Sequence, residues 1–158
     1  MRRIILFLAI GAVVVFALLQ LVPYGHDHNN PPVVAEPQWD SPQTRELAAR
    51  ACFDCHSNET RWPWYSNVAP VSWLIQHDVQ DGRRQLNFSE WNQPQRAAHE
   101  VGEVIGEGEM PPWVYLLLHP SANLSPAEKQ ALVAGLQKTL GGTTSLRGQV
   151  GQDRCRAA

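Results

Sequence analysis

The chain has 158 residues, 13 basic and 15 acidic, for a formal charge of −2 at pH 7. Without Arg2 and Arg3 the balance is 11 against 15, or −4, and no basic stripe remains, which argues against a nucleic-acid partner. Three cysteines are too few for a disulfide scaffold, and the length suits one folded domain.

Met1-Arg2-Arg3 precedes an apolar run from Ile4 to Val22, interrupted only by Gly11 and Gln20. At about 1.5 Å of rise per residue the run nearly matches a hydrocarbon core of about 30 Å. It exceeds a signal-peptide core, and no clean small-x-small cleavage site follows. Residues 1–22 are therefore expected to be an uncleaved signal anchor, with a cleaved signal peptide as the alternative. The two arginines put the N-terminus in the cytoplasm and the rest of the chain on the periplasmic side of a bacterial inner membrane. Arg2-Arg3 resembles a twin-arginine signal only superficially. Residues 23–40 carry Pro23, Pro31, Pro32 and Pro37, so they read as a semi-extended spacer with solvated His26 and His28.

Residues 41–140 read as one all-α domain, because strand-type alternation is nearly absent. Ser41-Pro42 caps a first helix that carries Leu47, Ala48 and Ala51 and ends by delivering Cys52 to His56. A polar, then aromatic, loop follows to Pro70. A second helix runs from Pro70 to about Arg84, with Val71, Leu74, Ile75 and Val79 on one face. A third begins at Pro94, carries Ala97, Val101, Val104 and Ile105, and stops at Gly106-Glu107-Gly108. A fourth starts at the capping box Ser125-Pro126-Ala127-Glu128 and ends at Gly141-Gly142. Residues 141–158 read as a disordered tail.

Cys52-Phe53-Asp54-Cys55-His56 is a C-x-x-C-H motif, the attachment signature of a c-type haem. Two thiols three residues apart lie on one side of a helical turn and reach the two vinyl groups on one edge of the ring. His56 then offers an imidazole nitrogen to the iron. A thioredoxin-like dithiol needs a βαβ setting that these flanks do not supply, and a zinc site needs ligands that are missing. A structural disulfide between Cys52 and Cys55 would close too tight a loop to add much. Export agrees with thioether attachment outside the cytoplasm.

The one methionine besides the initiator is Met110, 54 residues after His56, in Gly108-Glu109-Met110-Pro111-Pro112-Trp113. Its thioether is a soft donor, and proline after it keeps it out of a helix. Met110 is the expected sixth ligand and His119 the alternative; His77 and His99 fall in expected helices and read as ordinary histidines. Trp62, Trp64, Trp73, Trp91 and Trp113 are candidates for the walls around the ring. Arg61, Arg83 and Arg84 are candidate partners for its propionates.

Residues 47–140 resemble the haem-binding domain family of cytochrome c-like bacterial proteins. The resemblance is carried by Cys52–Thr60, Trp62-Pro63-Trp64-Tyr65-Ser66, Ala69-Pro70-Val71-Ser72-Trp73-Leu74, Gly82-Arg83, Leu86-Asn87-Phe88-Ser89, Met110-Pro111-Pro112 and Leu118-His119-Pro120. It implies a small cytochrome c-like module with one haem c on Cys52 and Cys55 and His56 as proximal ligand. The expected role is a membrane-anchored carrier of single electrons, not an enzyme, serving a redox partner that the sequence does not name. The alternatives are a haem-based sensor or peroxidase-like protein with a displaceable sixth ligand, and a haem-free thiol–disulfide oxidoreductase. The anchor and the tail lie outside the resemblance.

Overall fold

The computed structural model describes residues 1–156, with side chains through Gly141. The chain is all-helical, and among the described residues the only β feature is an isolated bridge between Ala35 and Glu90. Among the described residues seven α-helices follow one another: α1 (Arg2–Leu19), α2 (Pro42–Ala51), α3 (Phe53–His56), α4 (Val71–Gln85), α5 (Val101–Gly106), α6 (Trp113–Leu118) and α7 (Pro126–Arg156). Short 3₁₀ turns span Trp64–Asn67 and Pro120–Ala122.

Helix α1 is long and apolar enough to cross a membrane, and none of its residues is buried. Its end is tied to the domain. The Gln20 side-chain amide donates to the Ala69 carbonyl and accepts from the Ala69 N–H, both at 3.0 Å.

The stretch expected to be a free spacer instead wraps the domain. Gly25 (φ +88°) lies so close to the backbone of Ser72 that a side chain would not fit. His28 stacks on Trp62 at 4.6 Å and donates through Nε2 to the Ser66 carbonyl. Arg83 donates to the Asn29 carbonyl and to Asn30 Oδ1. Val34 and Ala35 N–H groups share the Ser89 carbonyl, and Trp91 N–H returns to the Ala35 carbonyl. Proline content sets local extension, but these polar partners decide where the extended chain lies.

Ser41 Oγ accepts from Thr44 N–H at 3.2 Å and caps α2, with Pro42 at its first position. The expected single helix breaks at Cys52 (φ −121°, ψ −34°), and α3 carries the rest of the motif in a new direction. The third helix is shorter than its apolar spacing suggests. Pro94 and Gln95 are irregular and residues 96–100 are turns, because the Gln95 side chain accepts from Asn87 N–H and donates to the Glu90 and Gln93 carbonyls. Side chain-to-backbone bonds of this kind compete with helix formation. Helix α5 does stop at Gly106, with Gly108 at φ +79°. The capping box on α7 is formed: Ser125 Oγ and N–H both donate to Glu128 Oε2 at 2.8 Å. Helix α7 runs through Gly141-Gly142 to Arg156, against the expected stop and disordered tail. Glycine weakens a helix but keeps its N–H, and no proline follows to end it. The last two residues of that tail lie outside the described residues.

One core joins α2, α3, α5 and α7 through Leu47, Phe53, Phe88, Ile105, Leu132 and Leu136. Trp39, Phe53, Phe88 and Trp91 form a chain of rings with centroids 5.2–6.2 Å apart. This core fills only part of the space between the helices.

Candidate functional site

Beside the core lies a cavity of about 860 Å³. That is within the 300–1,000 Å³ usual for small-molecule and cofactor sites. The apolar faces read from helical spacing line it: Val71, Leu74, Ile75 and Val79 from α4, and Ala97, Val101, Val104 and Ile105 from the α5 region. Val71 and Leu74 remain substantially exposed there. An apolar stripe thus faces a cavity as well as the close-packed interior.

Cys52, Cys55, His56, Met110 and His119 all line this one cavity. Five residues scattered over 68 positions of sequence meet because α3 lies against α4, and the α5–α6 connection closes the far side. Gly82 permits the close approach of α3 and α4: a Cβ there would run into the Cys55 carbonyl. The Gly82 carbonyl also holds the motif's histidine. His56 Nδ1 is 3.1 Å from that carbonyl and 3.0 Å from the Leu86 carbonyl. Carbonyls only accept, so Nδ1 carries the proton and Nε2 keeps the lone pair. Burial holds the His56 pKa below its ordinary value, which favours the neutral ring that a metal ligand requires.

Both thiols are free. Burial pushes Cys52 up to about 12, with the Cys55 charge adding to it. Burial also pushes Cys55 up to about 12, with Asp78 and Asp54 adding to it. The pair stays protonated at neutral pH.

Met110 is 40% exposed, on the loop between α5 and α6. Its own N–H and that of Glu109 both bond to the Val104 carbonyl, so the loop is held back on α5. His119 caps the end of α6. Its Nδ1 donates to the Tyr115 carbonyl at 2.9 Å, its Nε2 is 3.3 Å from the Tyr65 hydroxyl, and its ring stacks on Tyr115 at 4.0 Å. His77 is exposed on α4 and pairs with Asp81; His99 is exposed in the turns before α5 and pairs with Glu100.

The walls differ from the sequence expectation. No tryptophan among the described residues lines the cavity; the aromatic lining is Tyr65, Tyr115 and Phe88. Trp64 and Trp113 stand 79% and 72% exposed, while Trp39 and Trp91 pack against the core. Of the candidate arginines only Arg61 lines the cavity, where Asp54 already holds it. Arg61 binds Asp54, Arg84 pairs with Asp81, and Arg83 donates to the Ser57 carbonyl and Thr60 Oγ1 as well as to residues 29 and 30.

The sequence reading missed Asp54, which lies inside the motif. It is buried, accepts from Arg61 N–H, Nε and Nη2, and takes the Tyr115 hydroxyl at 2.6 Å. Burial, then the bond to Asp54, drives the Tyr115 phenol well above its ordinary value, so it remains a donor. Nothing in the spacing marks Asp54, because the x positions of the motif are unconstrained. A second unforeseen link is Phe88 N–H to the His56 carbonyl at 2.8 Å. It joins Leu86–Ser89 to the motif, and Asn58, Asn87 and Ser89 extend the contact through buried hydrogen bonds.

The family model of a haem-binding domain matches residues 14–138. The match begins inside α1 and takes in the wrapping stretch, upstream of the resemblance read from residue 47. No curated protein and no solved structure matches the chain.

Proposed function

Because the chain belongs to the haem-binding domain family, we propose that it is a membrane-anchored, single-haem c-type cytochrome that carries electrons on the periplasmic side of a bacterial inner membrane. The observation that supports this best is one cavity lined by Cys52, Cys55, His56 and Met110, with His56 Nε2 left as the lone-pair atom. The cavity's volume, its apolar faces and its donor set fit a haem. Cys52 and Cys55 would hold it by thioethers, His56 would be the proximal ligand, and Met110 the sixth. When bound, the haem supplies a one-electron couple. The chain's residues then do four things. The Gly82 and Leu86 carbonyls keep His56 in its ligand tautomer. The α4 and α5 faces exclude water, and His/Met ligation favours the reduced state relative to bis-His. Helix α1 keeps the carrier at the membrane, near a redox partner.

The all-helical setting of the motif speaks against a thioredoxin-like haem-free dithiol, which needs a βαβ unit. One observation favours a sensor as second reading: Met110 lies on the loop between α5 and α6 rather than on a helix, so it could be displaced without unwinding one.

The test is to make the protein with attachment machinery and follow haem through a denaturing gel and in the spectrum. Haem should migrate with the polypeptide. Cys52→Ala or Cys55→Ala should weaken attachment, and Cys155→Ala should not. The ferrous form of a carrier should ignore CO, whereas a sensor should bind it. Polypeptide that migrates free of haem would overturn the reading.

A further inference from the structure

We infer that Tyr65 decides the sixth ligand: its hydroxyl caps His119 and so leaves the iron to Met110. The inference rests on the haem reading above and deepens it. Met110 and His119 line the same cavity as His56. An imidazole is a stronger donor to ferric iron than a thioether, so a free His119 within reach would compete with Met110.

His119 is not free. Its ring is held at three points, by the stack on Tyr115, by Nδ1–H to the Tyr115 carbonyl, and by the Tyr65 hydroxyl on Nε2. The contact on Nε2 matters most. With its proton on Nδ1, His119 has the same tautomer as His56, and its Nε2 lone pair is the one a metal would take. The Tyr65 hydroxyl donates into that lone pair. Tyr65 is itself fixed by the backbone, in the 3₁₀ turn Trp64–Asn67, which packs on α4 and is closed by Ser66 N–H to the Pro63 carbonyl and Val68 N–H to the Tyr65 carbonyl. His119 is thus a ligand in reserve, its Nε2 lone pair occupied by one hydrogen bond.

The experiment uses the full-length holoprotein. Its readouts are the weak far-red charge-transfer band of thioether-ligated ferric haem and the reduction potential. Wild type should show the band, and His119→Ala should keep it. Tyr65→Phe should lose the band, remain six-coordinate and low-spin, and have a lower potential. Tyr65→Phe/His119→Ala should regain both the band and the potential, which also shows that the fold tolerates the change at 65. A Tyr65→Phe protein that keeps its band would overturn the inference. So would a double variant that fails to regain it, or loss of haem from both variants, since Tyr65 would then act through the fold alone. Wild type with attached haem but no band would overturn the inference and leave the haem reading standing. Wild type without attached haem would overturn the haem reading itself.

Discussion

Asp54 carries a structural load that its place between the two cysteines does not reveal. A buried carboxylate is costly unless its oxygens are filled, and here Arg61 and the Tyr115 hydroxyl fill them. Arg61 is 65% exposed, so its charge is screened by solvent and its ion pair contributes little. The Tyr115 bond is short and charge-assisted, and it joins α6 to the motif helix. Tyr115→Phe keeps the ring that stacks on His119 and removes only the donor. It should lower unfolding free energy by roughly 1.5–3 kcal/mol, the range for hydrogen bonds to charged groups. Denaturant unfolding of the two proteins at neutral pH would measure the difference, and a midpoint equal to wild type would refute it. Cys52, Cys55, His56 and Met110, which line the cavity, were legible because their types are rare: one C-x-x-C-H, one non-initiator methionine. Asp54, Tyr65 and Tyr115 were not, because aspartate and tyrosine are common and only the fold gives theirs a purpose.

Helices with strong start signals were legible to the residue. Ser41-Pro42 and Ser125-Pro126-Ala127-Glu128 state both the cap and the first turn, and the structure forms both. Helix α6 was not legible, since Trp113-Val114-Tyr115-Leu116-Leu117-Leu118 is apolar throughout and has no period to read. The cap on α7 has a further consequence. The Ser125 N–H, then Arg50, then the Ser125 hydroxyl pull Glu128 down to about 2, and Arg45 pulls Glu36 below its ordinary value of 4.5. Both carboxylates are more acidic folded than unfolded, so the unfolded chain takes up protons first as pH falls. Their stabilisation is complete above about 4.5 and is lost as pH drops from there toward about 2. Melting temperature should therefore fall across that window. Glu128→Gln should flatten the fall while lowering stability at neutral pH. A Glu128→Gln protein with the wild-type acid slope would refute this.

The whole molecule is more continuous than a division into anchor, spacer and domain allows. The prolines of residues 23–40 read as semi-extended chain, yet composition cannot say whether such chain lies in solvent or on a surface. Here it lies on a surface. Asn58 Nδ2 reaches the Pro32 carbonyl, Asn30 receives Arg83 and Trp62, Ala35 pairs with Glu90, and Trp39 stacks near Phe88 and Phe53. Glu36 receives both Trp39 Nε1 and Arg45. Two truncations should therefore behave differently. Replacing residues 1–22 with a cleavable signal removes α1 and the Gln20–Ala69 pair, none of it buried core. The product should be a soluble protein that unfolds cooperatively and carries haem. Starting instead at residue 41 also removes Trp39 and the partners of Asn58, Arg83 and Ser89. Loss of a core-packed aromatic side chain alone costs about 3–5 kcal/mol. A domain of this size has only about 5–15 kcal/mol in total. The shorter product should lose its cooperative thermal transition in near-ultraviolet circular dichroism and retain little haem. Equal melting temperatures for the two products would show that the wrapping stretch is the spacer its prolines suggest.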